Sequence, residues 1–281
     1  MCGTLFKFTR SLVLAVFFLV AGCACPTFLM DRFAAADRVA QSGGFEKSYV
    51  KTKDFTLMSY CRFTSPAQPL NLYIEGDGAA WLSRTQLSHD PTPQNPLVLE
   101  LAGLDPAANV AYLARPGQYA APAASPGDPS WWSDRRFSNE VVNAMNEASD
   151  SLLAKSGGNK INLIGYSGGA ALAVLIASRR TDVNSLRTVA GNLDPEGVNR
   201  YHRVSHLEGS LNPMDVAESL KELPQRHFVG SKDTIIPPFV AQSFVKRAGS
   251  QHAGEITLVE GATHFKGWRE KWKSLLAMPL Q

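Results

Sequence analysis

Asn159-Lys-Ile-Asn-Leu-Ile-Gly165-Tyr-Ser167-Gly-Gly-Ala-Ala-Leu-Ala-Val-Leu-Ile-Ala-Ser178 is the stretch whose reading decides the fold. Its first apolar residues, Ile161, Leu163 and Ile164, read as a short buried strand. The run stops at Gly165, and Ala170 to Ala177 reads as an apolar helix. Between them stands Gly165-Tyr166-Ser167-Gly168-Gly169, a Gly-x-Ser-x-Gly pattern with a further glycine behind it. A serine on a sharp strand-to-helix turn carries a strained backbone, so its neighbours must be nearly free of side chain. The helix start behind Ser167 presents unpaired N–H groups and a positive dipole end, both suited to an oxyanion. Glycine and serine also meet in plain turns. The strand before and the apolar helix after are what point to a nucleophile.

Upstream, Leu70 to Ile74 alternates as a strand and runs into Glu75-Gly76-Asp77-Gly78-Ala79-Ala80-Trp81. Glycines there let backbone N–H groups approach a ligand, although a simple tight turn has the same composition. A strand and glycine turn upstream of the serine favour an oxyanion site. Strand character also marks Tyr49-Val50, Phe55 to Phe63 beyond a Lys53-Asp54 turn, and Asn109 to Ala114. Helices are expected over Phe28 to Gln41, ending at Ser42-Gly43-Gly44, and over Leu97 to Leu104. Another is capped by Ser138, with Val141, Met145, Ala148 and Leu152 on its apolar face and Gly157-Gly158 as its stop. Gln118 to Ser130 is a loop rich in Ala, Pro and Gly, closed by Trp131-Trp132, which line a pocket or pack beneath the loop. Downstream come strands over Ser185 to Ala190, Arg226 to Val229 and Glu255 to Val259. Helices start at Pro213, at Phe239 (to Ala248) and at Trp268 (to Leu276). Strands alternating with helices from residue 70 onward predict an α/β fold: a mostly parallel sheet, helices on both faces, functional loops at the carboxyl ends of the strands.

Ser167, Asp233 and His264 each stand at such an end, in that chain order. A serine needs a base for its proton, and histidine is the side chain whose pKa fits neutral pH. A carboxylate fixes the imidazole tautomer and stabilises the imidazolium. His264 differs from the other five histidines in following the last strand within a glycine-containing loop. For the acid, Asp233 follows the strand before the one leading to His264, in Gly230-Ser231-Lys232-Asp233-Thr234-Ile235-Ile236-Pro237. Asp194, also after a strand, competes for the role, and Asp215 is a weaker candidate. No metal-ligand spacing of Cys and His appears, and no cofactor is implied.

Over residues 55–276 the chain resembles the α/β-hydrolase fold family, and more narrowly bacterial lipoproteins that carry this fold. The resemblance implies Ser167 as nucleophile, His264 as base and Asp233 as acid, with the backbone N–H groups of Gly168 and Asp77 as oxyanion donors. Glu75 stands where many members have histidine. The segment between Gly191 and Pro224 is short for a full cap domain, so a small lid at most is expected. Three functions compete: a serine hydrolase of carboxylic esters or thioesters, a serine peptidase of the same fold, and a non-catalytic binding lipoprotein. The first is preferred, because a binding role needs none of the three residues. Trp81, Trp132, Tyr166 and Phe265 are candidates for an apolar pocket accepting a small-molecule or lipid-like acyl substrate.

The N-terminus carries Lys7 and Arg10, an apolar run from Leu12 to Val20, and then Ala21-Gly22-Cys23. This is the layout of a signal peptide over residues 1–22, too short to span a bilayer comfortably. Val20-Ala21-Gly22-Cys23 resembles a lipobox, whose cysteine becomes a lipid-modified N-terminus; an ordinary secretory signal is the alternative. Ala24 after that cysteine favours the outer over the inner membrane by the same resemblance. Residues 23–44 are then a membrane-proximal segment with a short helix, and 45–281 the α/β-hydrolase domain. Without residues 1–22 the formal charge falls from +3 to +1, which implies no nucleic-acid partner. Cys25 and Cys61 remain in an oxidising compartment, either as a disulfide or with Cys61 as a small buried strand residue.

Overall fold

The computed structural model describes residues 27–120, 127–249 and 255–280. Residues 1–22, expected to be a signal peptide, and Cys23 and Cys25 lie outside the described residues. Eight strands form one sheet: β1 (Glu46–Lys51), β2 (Thr56–Phe63), β3 (Leu70–Ile74), β4 (Asn109–Leu113), β5 (Ile161–Tyr166), β6 (Val183–Val189), β7 (Gln225–Gly230) and β8 (Glu255–Val259). Their spatial order is β1-β2-β4-β3-β5-β6-β7-β8, with β1, β2 and β4 paired antiparallel and every later pairing parallel. Among the described residues seven helices surround it: α1 (Thr27–Ser42), α2 (Leu97–Gly103), α3 (Asn139–Ser156), α4 (Gly168–Ala177), α5 (Pro195–His202), α6 (Phe239–Ala248) and α7 (Trp272–Leu276). No helix among the described residues is long and apolar enough to cross a membrane.

The sheet separates two apolar layers. Ala36 of α1, Val98 and Leu101 of α2 and Trp272 of α7 pack on one face, with Tyr60, Tyr73, Tyr112 and Phe228 from the strands. The other face is covered by α3, α4 and α6, through Val141, Met145, Leu172, Ile176, Val240 and Phe244. Every residue of α4 is buried, which is why its sequence is apolar all round rather than striped. The expected cap holds for α3: Ser138 accepts the Val141 N–H, and Gly157 ends the helix in the left-handed conformation (φ 71°). α1 packs on α2 and β1, and Arg32 donates to the Thr92 carbonyl at 2.8 Å. Cys61 is a buried residue of β2.

Three expectations are corrected. The segment after β6 holds the helix α5, which was not foreseen: Asp194 caps it by accepting the Gly197 N–H, and Pro195 occupies its first turn. In place of a helix from Pro213 there are two short 3₁₀ turns, Pro213–Asp215 and Ala217–Leu220. The last helix begins later than expected, because Arg269–Lys271 forms a 3₁₀ turn ahead of α7. Trp268, expected in that helix, instead donates its indole N–H to the carbonyls of Thr263 and His264.

Strand register brings the functional loops together. Ile74 of β3 lies beside Gly165 of β5, Tyr166 beside Val189, Val189 beside Phe228 and Gly230 beside Val259. The loops leaving β3, β5, β6, β7 and β8 therefore emerge along one edge. Gly165 is required here: a Cβ on it would stand 2.5 Å from the Ala170 Cα and from the Gly169 carbonyl oxygen, backbone that cannot move aside. Gly165→Ala is therefore expected to destabilise the protein by about 1–3 kcal/mol, the usual cost of overpacking. Urea denaturation monitored by circular dichroism checks this; an unchanged midpoint would show that α4 can move off β5.

Candidate active site

Ser167 sits between β5 and α4 with φ 51° and ψ −120°, a positive φ that non-glycine residues rarely adopt. Its N–H donates to the Val189 carbonyl at 3.0 Å. Its own carbonyl accepts from Ala170 at 3.1 Å and from Asn192 at 2.9 Å. These bonds tie the turn to the helix behind it and to the loop after β6. The hydroxyl is left pointing at His264, whose Nε2 is 3.0 Å from Oγ. On its other side His264 Nδ1 is 2.9 Å from Asp233 Oδ2. Since ionised Asp233 only accepts, Nδ1 carries the proton and Nε2 is left as the acceptor for the serine O–H. Asp233 is itself fixed, because its Oδ1 accepts the N–H groups of Ile235 (2.8 Å) and Ile236 (2.9 Å). All three side chains are buried.

Of the competing acids, Asp194 has its carboxylate on the Gly197 N–H at 2.8 Å, and the histidine takes Asp233. Asp215 ends a 3₁₀ turn in the segment after α5. His264 is positioned by its backbone as well: its carbonyl accepts the Tyr166 hydroxyl (2.8 Å) and the Trp268 indole (3.1 Å). The Tyr166 ring lies 5.2 Å from the imidazole and the Phe265 ring 4.9 Å, edge-on. Of the four aromatic candidates, Tyr166 and Phe265 thus flank the histidine. Trp132 is buried with its indole on the Ser88 carbonyl (2.9 Å), and Trp81 is exposed on the loop after β3. Trp131 meets Phe55 edge-on, with Arg135 stacked on it. Packing accounts for Trp131-Trp132.

The turn after β3 lies directly against the serine elbow. A Cβ on Gly168 would collide with the Asp77 carboxylate and stand 2.7 Å from Arg115 Nη1. Among the described residues the backbone N–H groups of Asp77 and Gly168 have no acceptor. Gln118 anchors the turn by donating to the Gly76 carbonyl at 2.8 Å. The composition gave no sign of the charge that accompanies it. Asp77 is ion-paired with the buried Arg115 and lies 3.5 Å from Arg136 Nε. Burial works against its charge, but Arg136 and Arg115 outweigh that and hold the carboxyl below its ordinary range. Glu75, two residues earlier, has the opposite fate. It accepts the Gly76 N–H (2.8 Å) and the Tyr112 hydroxyl (2.9 Å), yet burial pushes its pKa up to about 7.

A groove of about 700 Å³ opens at the opposite ends of the strands, lined by Asn71, Asp105, Asn162, Arg187 and Lys273 among others. Asp105 there is already engaged by Asn71, Tyr73 and the Ala107 N–H.

No protein-family model matches the chain, and no curated protein matches it in sequence. Solved structures do match. An α/β serine hydrolase homologue from Coxiella burnetii aligns with 82% of this chain and 93% of its own at a TM-score of 0.56 and 15% identity. An esterase domain from Rhodothermus marinus aligns over 82% and 94% at 0.55 and 14%. The Pyrococcus horikoshii acylaminoacyl peptidase aligns over 83% of this chain at 0.61 and 13%, but this chain spans only 41% of that one. With the strand order above, these likenesses establish the α/β-hydrolase fold.

The raised pKa of Glu75 has a consequence for stability. A carboxyl whose folded pKa exceeds its unfolded value near 4.5 favours the fold at low pH; that contribution is lost as pH rises toward about 7. The shift corresponds to roughly 3 kcal/mol. Between pH 5 and pH 8 the native protein is expected to lose stability relative to Glu75→Gln. Urea midpoints for both proteins across this range measure it, and parallel curves would refute the buried, protonated Glu75.

Proposed function

We propose that the protein is a serine hydrolase that cleaves carboxylic esters or thioesters through an acyl-enzyme intermediate. The observation that carries the reading is the unbroken hydrogen-bonded line from Ser167 through His264 to Asp233, on a strained elbow beside two unpaired backbone N–H groups. In this reading His264 Nε2 takes the Ser167 proton while Oγ attacks the acyl carbon. The negative oxygen that forms is met by the N–H groups of Gly168 and Asp77. His264 then gives its proton to the departing alcohol or thiol. A water, deprotonated in turn by His264, attacks the acyl-enzyme; the carboxylic acid leaves and Ser167 regains its proton. Asp233 keeps the imidazole in the tautomer that both half-reactions need. No cofactor enters the scheme. The acylaminoacyl peptidase supports a peptidase less, since the likeness leaves more than half of that protein unmatched.

The same proposal takes the substrate to be a small-molecule or lipid-like acyl compound, and the mature chain to begin at a lipid-modified Cys23. The support is the Val20-Ala21-Gly22-Cys23 segment behind an apolar run, with Ala24 following. A chain so modified sits on the outer membrane facing the periplasm, without spanning it.

Ser167→Ala is expected to lose several powers of ten in kcat on any ester the native protein cleaves, with its melting curve preserved. Asp233→Asn should lose up to about four powers of ten and Asp194→Asn far less, since Asp194 serves as a helix cap. Steady-state kinetics on a series of acyl esters, with fluorophosphonate labelling of Ser167, checks both; wild-type turnover by Ser167→Ala would end the serine reading. For the anchor, intact-mass measurement of membrane-extracted protein should give a chain starting at Cys23 with acyl mass added. An unmodified N-terminus would end that part of the proposal.

A further inference from the structure

The edge that carries Ser167 is also where the protein exposes its large apolar side chains. Eight such residues are exposed among those described, and six of them lie on loops or the helix end at this edge: Trp81, Leu82, Tyr201, Val204, Ile235 and Phe265. Trp81 and Leu82 follow β3, Tyr201 and Val204 follow β6, Ile235 follows β7 and Phe265 follows β8. Exposure is large at the tips, 48% for Trp81, 56% for Leu82 and 62% for Phe265. Hydrogen bonds join these separate loops into one rim. Arg84 donates to the His202 carbonyl at 3.0 Å, and His202 Nε2 meets the Ile235 carbonyl at 2.8 Å. Tyr201 packs on Phe239 behind the acid loop at 5.7 Å. The rim surrounds the chemistry, since Ile235 is two residues from Asp233 and Phe265 adjoins His264.

Charge on the same loops is unbalanced. Arg84, Arg200, Arg203, Lys232 and Lys266 are exposed there against the exposed carboxylates of Glu196, Glu208 and Glu260. Only Arg200 is within ion-pair distance of one of them, 3.7 Å from Glu196. We infer that this rim is a docking face for an anionic phospholipid bilayer. Single apolar tips dip below the headgroups, while the cations between them meet lipid phosphates. A tryptophan at the outermost loop suits the boundary between headgroup and acyl chain. Charge complementarity selects this occupant: five cations facing three carboxylates attract an anionic leaflet, and the tips rise from four separate segments rather than forming one groove. Docking would bring the edge that carries Ser167 to where acyl chains are presented. That benefit rests on the serine-hydrolase reading, whereas the docking itself does not.

The test uses the full chain carrying Ser167→Ala, so that its outcome is independent of hydrolysis. Vesicles of phosphatidylcholine, with and without phosphatidylglycerol, carry brominated acyl chains that quench nearby tryptophan. Trp132, Trp268 and Trp272 are buried and Trp131 is half-buried, so the difference between the parent and Trp81→Phe isolates Trp81. Because it reads the depth of this one face, the comparison is insensitive to how the N-terminus holds the chain. Strong Trp81 quenching is expected with phosphatidylglycerol and weak quenching without it. Arg84→Glu, Arg203→Glu and Lys266→Glu together should lower the docked-to-undocked ratio on the order of a hundredfold, with an unchanged melting curve. A second arm places the same three changes in the active protein, where turnover of a water-soluble short ester should not change. Quenching that is equal with and without Trp81, or indifferent to lipid charge and to the three substitutions, would overturn the proposal. So would sedimentation showing the rim covered by a second copy of the chain in the absence of lipid.

Discussion

The edge of the sheet that carries Ser167 depends on holding that residue at a positive φ, a conformation that costs of order 1–3 kcal/mol and relaxes unless its surroundings forbid it. Three separate supports do so. The Ser167 N–H is tied to β6, its carbonyl is shared by α4 and the loop after β6, and α4 is buried along its whole length. Burying Leu172, Val174, Leu175 and Ile176 contributes about 1.5–3 kcal/mol each, enough to hold the turn against its own strain. The glycines follow from the same constraint. A side chain at Gly169 would strike the carbonyls of Ile74 and Glu75, and one at Gly168 would strike Asp77, so the elbow presses onto the turn after β3. The serine and the two free N–H groups are consequences of one packing arrangement.

That arrangement explains what was readable in the chain and what was not. The meeting of Ser167, Asp233 and His264 was legible because a parallel sheet gathers its strand ends, and each residue stands in the loop that follows an apolar strand. The strand positions were legible for the same reason: β3 and β8 keep the limits read from alternation and apolar runs. The helix α5 was missed although Asp194-Pro195-Glu196 carries a cap, a first-turn proline and a first-turn acid. It lay hidden because Asp194 was weighed as a catalytic acid. In the structure its carboxylate is turned to its own helix, while Asp233 faces the imidazole.

The guanidinium groups beside the turn after β3 were not legible at all. Arg115 and Asp77 are 38 residues apart, and no periodicity links them. Only the pairing of β3 with β4, which sets Ile74 beside Leu113, brings the end of one strand to the end of the other. Glu75 was noticed as a departure, but its protonation follows from burial, which composition does not report. Both failures concern charge inside the protein, where the outcome depends on neighbours contributed by other elements.

Those neighbours decide whether the turn can serve the proposed chemistry. A bare carboxylate about 5 Å from a developing oxyanion would oppose it by roughly 3 kcal/mol at an effective dielectric of ~20, which is about two powers of ten in rate. Asp77 stands over Gly168, so its backbone N–H and its side chain pull in opposite directions. Arg115 and Arg136 resolve the conflict, since two cations against one carboxylate leave the turn with a net positive charge. Glu75, closer to the sheet and without an ion-paired partner of its own, avoids adding a second negative charge by holding its proton up to about pH 7. The two acids of one turn are thus neutralised by different means, Asp77 by pairing and Glu75 by protonation, and both keep negative charge away from the space beside Ser167.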